Sequence, residues 1–493
     1  MKPITADLLV QRWTALRALD AAQPLNRALY NCLRDAILDG SLPAGARLPA
    51  TRELASELSL SRNSVTHAYE QLRAEGYLRA LTGSGTFVAD VLPEQVLWSR
   101  SADARRQNVS PAVKTGLSRR GRILVDGALA SHRQWGAFMP GVPDVRHFPH
   151  RKFEQVRARV LRAAPPHWFS YAGAGGLAAL REALAVHVRQ VRSVQCEPEQ
   201  IVVTEGVHQA VDLASRVLAD PGEHAWMEEP GYWGIRGVLG INGLRVRGLP
   251  VDAEGLVLPS GAHPPRLIFV TPSHQYPLGS VMSLPRRLAL IEYARQHGSW
   301  IVEDDYDSEF RFAGHPIPSL QGLDPQAPVI YIGTFSKTLY PGLRIAYMVL
   351  PAQLAHSFRE AHSELYREGH LPTQAALAAF MQEGHYAAHI RRMRLIYAAR
   401  RSALIALVHT WLGREWVHPY DNNAGLHLVL SLPQDRDDIE IARRALARGV
   451  LVRPLSRYYA GEHPQRGLLL GFACVAEEDM LDPFEQLVRS LFP

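Results

Sequence analysis

Between residues 25 and 37 the apolar positions are Leu25, Ala28, Leu29, Leu33, Ala36 and Ile37, the spacing of one helical face, with Pro24 in front and Gly40 behind as start and stop signals. A Pro- and Gly-bearing turn at 42–49 leads to a second short stripe, Leu54, Ala55 and Leu58, for which Thr51 offers a capping hydroxyl. A third stripe, Val65, Ala68, Tyr69 and Leu72, has Ser61 as its cap and Gly76 as its stop. Two short helices joined by Ser59 and Leu60 predict a helix-turn-helix, and residues 77–81 and 86–88 around the turn at 82–85 predict a small hairpin, a wing, beside it.

From about Phe138 the pattern changes to alternating strands and helices, which predicts an open α/β sheet. Apolar β runs stand at 201–204, 225–227, 267–271, 300–302 and 329–332, and nearly every one breaks at once into polar, Gly- or Pro-containing residues. Candidate ligand groups therefore gather at the carboxyl ends of the strands, where open α/β sheets bind their ligands. The predicted division is a winged helix at 15–90, a linker at 91–135, a large sheet domain at 136–385 and a smaller α+β domain at 386–493.

Length supports this division, since 493 residues exceed one hydrophobic core. No apolar run reaches membrane-span length and the N-terminus lacks the apolar core of a signal peptide, so the cytoplasm is the expected location. Cys32, Cys196 and Cys474 are scattered, without metal or disulfide spacing. The net charge of +6 is a weak pointer to a polyanion, but residues 91–130 hold seven Lys+Arg against three acids, a basic stretch where the linker falls. Residues 1–90 are nearly balanced, with ten Lys+Arg against nine acids, so charge alone does not assign DNA binding.

Lysine usage is more telling. Of 54 Lys+Arg only Lys2, Lys114, Lys152 and Lys337 are lysines. A lysine kept after a strand, in a chain that otherwise chooses arginine, suggests chemistry a guanidinium cannot do: a primary amine condensing with an aldehyde. The strand ends match the needs of one cofactor, pyridoxal 5′-phosphate (PLP). Lys337 offers the amine, and Glu303-Asp304-Asp305-Tyr306-Asp307 offers carboxylates to keep the pyridine nitrogen protonated. Gly206, Val207 and His208 offer backbone N–H groups at a helix start for the phosphate, with Thr334, Ser336 and Arg344 as hydroxyl and cationic partners. Tyr232 and Trp233 offer a stacking face.

Two resemblances follow from these residues. The run from Arg47 through Arg52, the Leu-Ser-Arg62-Asn-Ser-Val-Thr66 stretch, Glu75-Gly-Tyr and Gly83-Ser-Gly-Thr closely resembles the GntR-type winged helix. That resemblance implies DNA contacts from Arg52, Arg62, Asn63, Ser64 and Thr66, with Gly83 bringing the wing backbone close to a groove. Residues 138–493 resemble a fold-type I aminotransferase, and the whole chain resembles the MocR group of bacterial regulators, which fuse the two. Carried over, Lys337 holds the cofactor aldehyde and Asp304, 33 residues earlier, pairs with the pyridine nitrogen. Tyr306 bonds the ring hydroxyl, Tyr232 stacks on the ring, and Thr334, Arg344 and the backbone at 206–208 hold the phosphate.

Two positions depart from the aminotransferase pattern. Tyr276 stands where those enzymes place an asparagine beside the ring hydroxyl, leaving His274 or Gln275 to supply the contact. Leu469, in Gly467-Leu-Leu-Leu-Gly-Phe472, stands where they carry the arginine that clamps a substrate carboxylate, leaving Arg453, Arg457 or Arg466 as substitutes. The expected protein is a homodimeric regulator that binds operator DNA and senses PLP or an amine that reacts with it. An active aminotransferase with an accessory DNA-binding head is the alternative, and Leu469 is the main feature against it.

Overall fold

The computed structural model describes residues 7–19, 24–81, 84–90, 116–126, 135–170, 175–314, 318–367 and 369–492. The chain divides into two units at Gly116 and Leu117.

The first unit is built on the three predicted stripes. Helices α1 (Asp7–Leu19), α2 (Leu25–Leu38), α3 (Thr51–Glu57) and α4 (Arg62–Ala74) precede an antiparallel hairpin of β1 (Leu78–Leu81) and β2 (Gly85–Val88). Leu29, Leu33, Leu54, Val65, Leu72 and Val88 are buried in one core. Each such side chain contributes roughly 1.5–3 kcal/mol on burial. Ser61 caps α4 by accepting from the Ser64 N–H at 3.1 Å. Thr51 does not cap α3: the cap position is Ala50, whose N–H donates to Glu53 Oε2 at 3.3 Å, and Thr51 is the first helical residue. Helix α1, not foreseen from the pattern, adds buried Leu9 and Trp13 to this core. The wing turn residues Thr82 and Gly83 lie outside the described residues.

The second unit is organised by an eight-stranded sheet of β3 (Ile201–Thr204), β4 (His224–Glu229), β5 (Arg245–Asp252), β6 (Gly255–Leu256), β7 (Leu267–Val270), β8 (Trp300–Asp305), β9 (Val329–Thr334) and β10 (Ala346–Val349), in the order β3-β10-β9-β8-β7-β4-β5-β6. Neighbours from β9 through β5 are parallel; β10 runs antiparallel to both β3 and β9, and β6 to β5. The pattern missed β5, β6 and β10, and it ended β8 too early: the strand carries Asp304 and Asp305 within it. A smaller three-stranded antiparallel sheet, β11 (His427–Ser431), β13 (Gly467–Gly471) and β12 (Arg453–Pro454), follows the 27-residue helix His385–Trp411.

Within the stretch read as a linker, residues 119–126 are helical, and Arg120 donates to the Ile241 carbonyl at 3.3 Å. Residues 91–115 and 127–134 lie outside the described residues, and with them Arg100, Arg105, Arg106 and Lys114. No described helix is long and apolar enough to cross a membrane, and no described group of His, Cys, Asp or Glu could hold a metal.

Candidate functional site

Sheet register brings the candidate residues to one edge. Asp305 pairs with Gly333, so Asp304 and Thr334 lie at or next to the carboxyl ends of neighbouring parallel strands; Thr334 pairs with Ala346, which pairs with Thr204. Gly206 follows β3 by two residues, Tyr232 follows β4 by three, and Lys337 follows β9 by three. The carboxyl ends of four strands, β3, β4, β8 and β9, thus deliver their residues to the same edge.

The acidic run resolves by partner. Glu303 accepts from the Leu320 N–H at 3.0 Å, and Asp305 takes Arg192 Nε at 2.6 Å and the Tyr331 hydroxyl at 2.6 Å. Asp307 faces His274 Nδ1 at 3.1 Å. Asp305 Oδ1 is itself without a partner, but its Oδ2 carries the bonds to Arg192 and Tyr331; Asp304 is buried, its Oδ1 has no hydrogen-bond partner, and none of these neighbours bonds it. Burial first, and then the neighbouring Asp305 charge, push its carboxyl up to about 7, while Lys337 pulls it down. Buried unpaired acceptors are costly, and this one is poised for a donor from outside the chain.

Lys337 is half-buried and its Nζ donates to the Gly141 carbonyl at 2.6 Å. Burial lowers its pKa below the usual lysine range, against the pull of Asp307 and Asp304, and the Arg453 charge pushes the same way. A larger neutral fraction makes it a better nucleophile toward a carbonyl.

On the other side, Gly206 has φ +118° and begins the helix Val207–Leu218. A Cβ at Gly206 would sit 3.0 Å from Nη2 of Arg344, so the glycine lets the guanidinium close on the helix N-terminus. Thr334 donates to Ser336 Oγ at 3.1 Å, and its Oγ1 accepts from the Ser336 N–H at 3.2 Å. Free helix N–H groups, an arginine and two hydroxyls form an anion cradle. His208 Nε2 meets the Tyr232 hydroxyl at 3.1 Å with the rings stacked at 5.6 Å.

The first departure from the aminotransferase pattern, at Tyr276, also resolves. Gln275 is spent on backbone carbonyls, donating to that of Pro230 in the loop after β4 and to that of its neighbour Tyr276, at 2.8 Å each. His274 is the group beside Tyr306, Nδ1 to hydroxyl 2.9 Å. Tyr276 meets the Tyr458 hydroxyl at 3.0 Å, and its ring lies edge-on to Tyr232, Tyr306 and His427. This aromatic cage had no sequence signal, because Tyr458 and His427 come from distant segments. The Gly141 acceptor was missed for the same reason. The residues present fit PLP: an unpaired carboxylate, an amine and an anion cradle share one edge.

In the first unit Arg52, Arg62 and Asn63 are exposed, whereas Ser64 and Thr66 are half-buried. The Ser64 hydroxyl is 2.9 Å from Ser61 Oγ, which ties it to the cap of α4. Arg47 bridges to Phe87 and lies against Gly85, at the base of the wing, a placement sequence reasoning did not single out.

Comparison with known proteins gives two family matches: residues 25–88 to the bacterial regulatory proteins of the gntR family, and residues 144–481 to aminotransferase class I and II. The chain is 41% identical over 478 residues to the "Probable rhizopine catabolism regulatory protein MocR" of Rhizobium meliloti, covering 96% of this chain and 94% of that one. It is 31% identical to the "HTH-type pyridoxine biosynthesis transcriptional regulator PdxR" of Corynebacterium glutamicum, covering 91% and 92%. Among solved structures it is similar to an archaeal alanine:glyoxylate aminotransferase, with a TM-score of 0.67 and 26% identity over 75% of this chain and 92% of that one.

Proposed function

The chain belongs to the MocR group of bacterial regulators, a GntR-type winged helix followed by an aminotransferase class I and II domain, and from that premise we propose that it is a PLP-binding transcriptional regulator. Its N-terminal unit binds operator DNA, and its C-terminal unit senses PLP or an amine that reacts with it. The observation that carries this reading is Asp304: a buried carboxylate with no partner, on the same sheet edge as the Lys337 amine.

When bound, PLP supplies an aldehyde that captures amines and a ring that draws electrons from the captured group. The chain's residues supply the rest. Asp304 would hold a proton at the pyridine nitrogen, and Tyr306, oriented by His274, would donate toward the ring hydroxyl. Tyr232 would cover one ring face. The N–H groups of Gly206, Val207 and His208, with Thr334, Ser336 and Arg344, would hold the phosphate. Lys337 would tether the cofactor and yield to an incoming amine. On the DNA side Arg52, Arg62 and Asn63 would reach phosphates and base edges, Ser64 and Thr66 would contribute from the buried margin of α4, and Gly83 would bring the wing to the groove.

We further propose a homodimer with two reading heads, acting in the cytoplasm, and keep the division into a large lobe to residue 385 and a small lobe beyond it. Turnover as an aminotransferase is the second reading. Against it stands Leu469, fully buried among Leu278, Val429, Leu455 and Tyr458 where a forked cation would be needed.

The test is binding of the full chain to its own upstream DNA with and without PLP, for wild type and Lys337→Ala. The expected outcome is a PLP-dependent change in affinity that Lys337→Ala loses while still binding DNA. A wild-type protein that stays colourless with added PLP overturns the cofactor reading, and multiple turnovers of amino donor and keto acid overturn the sensor reading.

A further inference from the structure

A contact inside the second unit links the cofactor groups to the segment that leads to the winged helix. Tyr232 is the cap residue of the helix Trp233–Ile241, so the ring expected to stack on the cofactor begins that helix. At the other end Asn242 Nδ2 donates to Asp212 Oδ1 at 2.6 Å, and Asp212 belongs to the helix Val207–Leu218, whose N-terminus is the anion cradle. The Ile241 carbonyl, one residue before Asn242, accepts from Arg120 at 3.3 Å. Arg120 lies in the linker helix Arg119–Asp126, which packs against Trp233–Ile241 and starts just past the boundary between the two units. An arginine there satisfies an otherwise unpaired carbonyl and complements the negative end of the helix dipole. One short helix thus touches the ring face, the phosphate helix and the linker.

That helix is weak by composition. Of its nine residues Gly234, Gly237 and Gly240 are glycine. Each glycine in a helix interior is about fivefold less favourable than alanine, and a helix this short is marginal without tertiary support. Gly234 is required, because a Cβ there would lie 2.5 Å from Nε2 of His208. Packing does not explain the other two: no described atom lies within 4 Å of a Cβ at Gly237 or Gly240. Tyr232 makes no side-chain cap bond. The helix is held by Ile235 and Leu239, buried with Val211 and Ala214 of the phosphate helix, and by the contacts at its two ends.

We infer that the helix Trp233–Ile241 carries the state of the site to the DNA-binding unit, with Arg120 as the residue that couples it to the linker. This rests on the PLP-sensing reading above and adds the route by which sensing reaches DNA. A filled site steadies Tyr232 and the His208 ring stacked on it, and so the start of the helix. A steadier helix keeps its last carbonyl in place for Arg120, and the linker helix docks. With the site empty, the glycine-rich helix frays and the linker helix is released. The two spare glycines keep the helix near balance, so that a few contacts at one end decide the occupancy of the other.

The test compares the full chain as wild type, Arg120→Ala, Arg122→Ala and Gly237→Ala. It measures affinity for the chain's own upstream DNA with and without PLP, PLP saturation by absorbance, and hydrogen exchange of residues 119–126. In wild type PLP is expected to slow that exchange. Arg120→Ala is expected to saturate with PLP as wild type does, to lose the slowing, and to shrink the ratio of the two DNA affinities ~2–10-fold, the range one hydrogen bond supplies, by moving the PLP-loaded value toward the PLP-free one. Arg122→Ala removes the same charge from an exposed position of the same helix and is expected to keep the wild-type ratio. Gly237→Ala acts from the other side: its PLP-free affinity is expected to move toward the PLP-loaded value. A wild-type ratio in Arg120→Ala overturns the inference. So does an equal loss in Arg122→Ala, or a PLP-free affinity in Gly237→Ala that stays at the wild-type value. Should Gly237→Ala fail to take up PLP, the two arginine variants decide alone. If wild-type DNA affinity ignores PLP, the sensing reading itself fails and takes this inference with it; a PLP response that survives intact in Arg120→Ala removes this inference only.

Discussion

At the residue scale, the acidic run shows what spacing can and cannot reveal. Sequence placed four candidate carboxylates after one strand, and only the 33-residue distance to Lys337, read through a family resemblance, chose Asp304. The structure supports the same choice, because Glu303, Asp305 and Asp307 each bond a neighbour through one oxygen at least, whereas Asp304 keeps a buried oxygen without a partner and shows no such bond. An unpaired buried acid has a consequence for stability. Its folded pKa, about 7, lies above the ordinary value of 3.8. The unfolded chain therefore releases that proton first as pH rises, and the associated stability, complete below about pH 4, is lost as pH climbs through 7. Asp304→Asn removes the titration. Without cofactor, the variant is expected to gain roughly 1–3 kcal/mol at pH 8 relative to wild type and little at about pH 4. With PLP, it is expected to bind the cofactor much more weakly. Thermal melts of both proteins with and without PLP at the two pH values check both halves; a variant no more stable than wild type at pH 8 refutes the account.

At the scale of elements, the legible parts were those with local periodicity. Three helix stripes and five apolar strands could be placed because their spacing is written in consecutive residues. Strand β10 could not, because Ala346–Val349 is an ordinary apolar run whose antiparallel direction depends on the turn through Lys337 and Arg344. The pairing of Leu469 with Val429 and Arg453 was equally hidden, since register between β11, β12 and β13 is tertiary information. Two elements can be tested at their starts. Ser61→Ala removes the cap of α4 and is expected to cost about 1 kcal/mol of winged-helix stability. Arg62→Ala, one residue on and exposed, is expected to leave stability within about 0.5 kcal/mol while weakening operator binding by about 1–3 kcal/mol. Chemical denaturation and DNA titration of the two variants separate folding from recognition, and unchanged affinity in Arg62→Ala removes it from the contact set. At the phosphate end, Gly206→Ala adds a Cβ 3.0 Å from Arg344 at a φ of +118°, both unfavourable. It is expected to raise the PLP concentration needed for half-saturation at least tenfold, measured by absorbance, with DNA binding without PLP retained.

For the whole molecule, the decisive fact is that sensing and reading lie in separate units, each with its own core. A ligand of the second unit can alter DNA binding only by its differential affinity for two states of the full chain, so each half alone must lack the response. The first unit, residues 1–116, carries the helices and the wing but none of the cofactor groups. Expressed alone it is expected to bind a half-site, with no effect of PLP and, if the full chain is the proposed homodimer, with affinity for a full operator ~10²–10⁴-fold below it, because a second linked head no longer raises the local concentration. Residues 117–493 alone are expected to turn yellow with PLP and to ignore DNA. Measuring operator affinity for the intact chain and both halves across PLP concentrations tests the arrangement. A PLP response in the isolated head, or full affinity without its partner unit, contradicts a division in which Lys337 governs the occupancy of DNA only through the chain that joins it to α4.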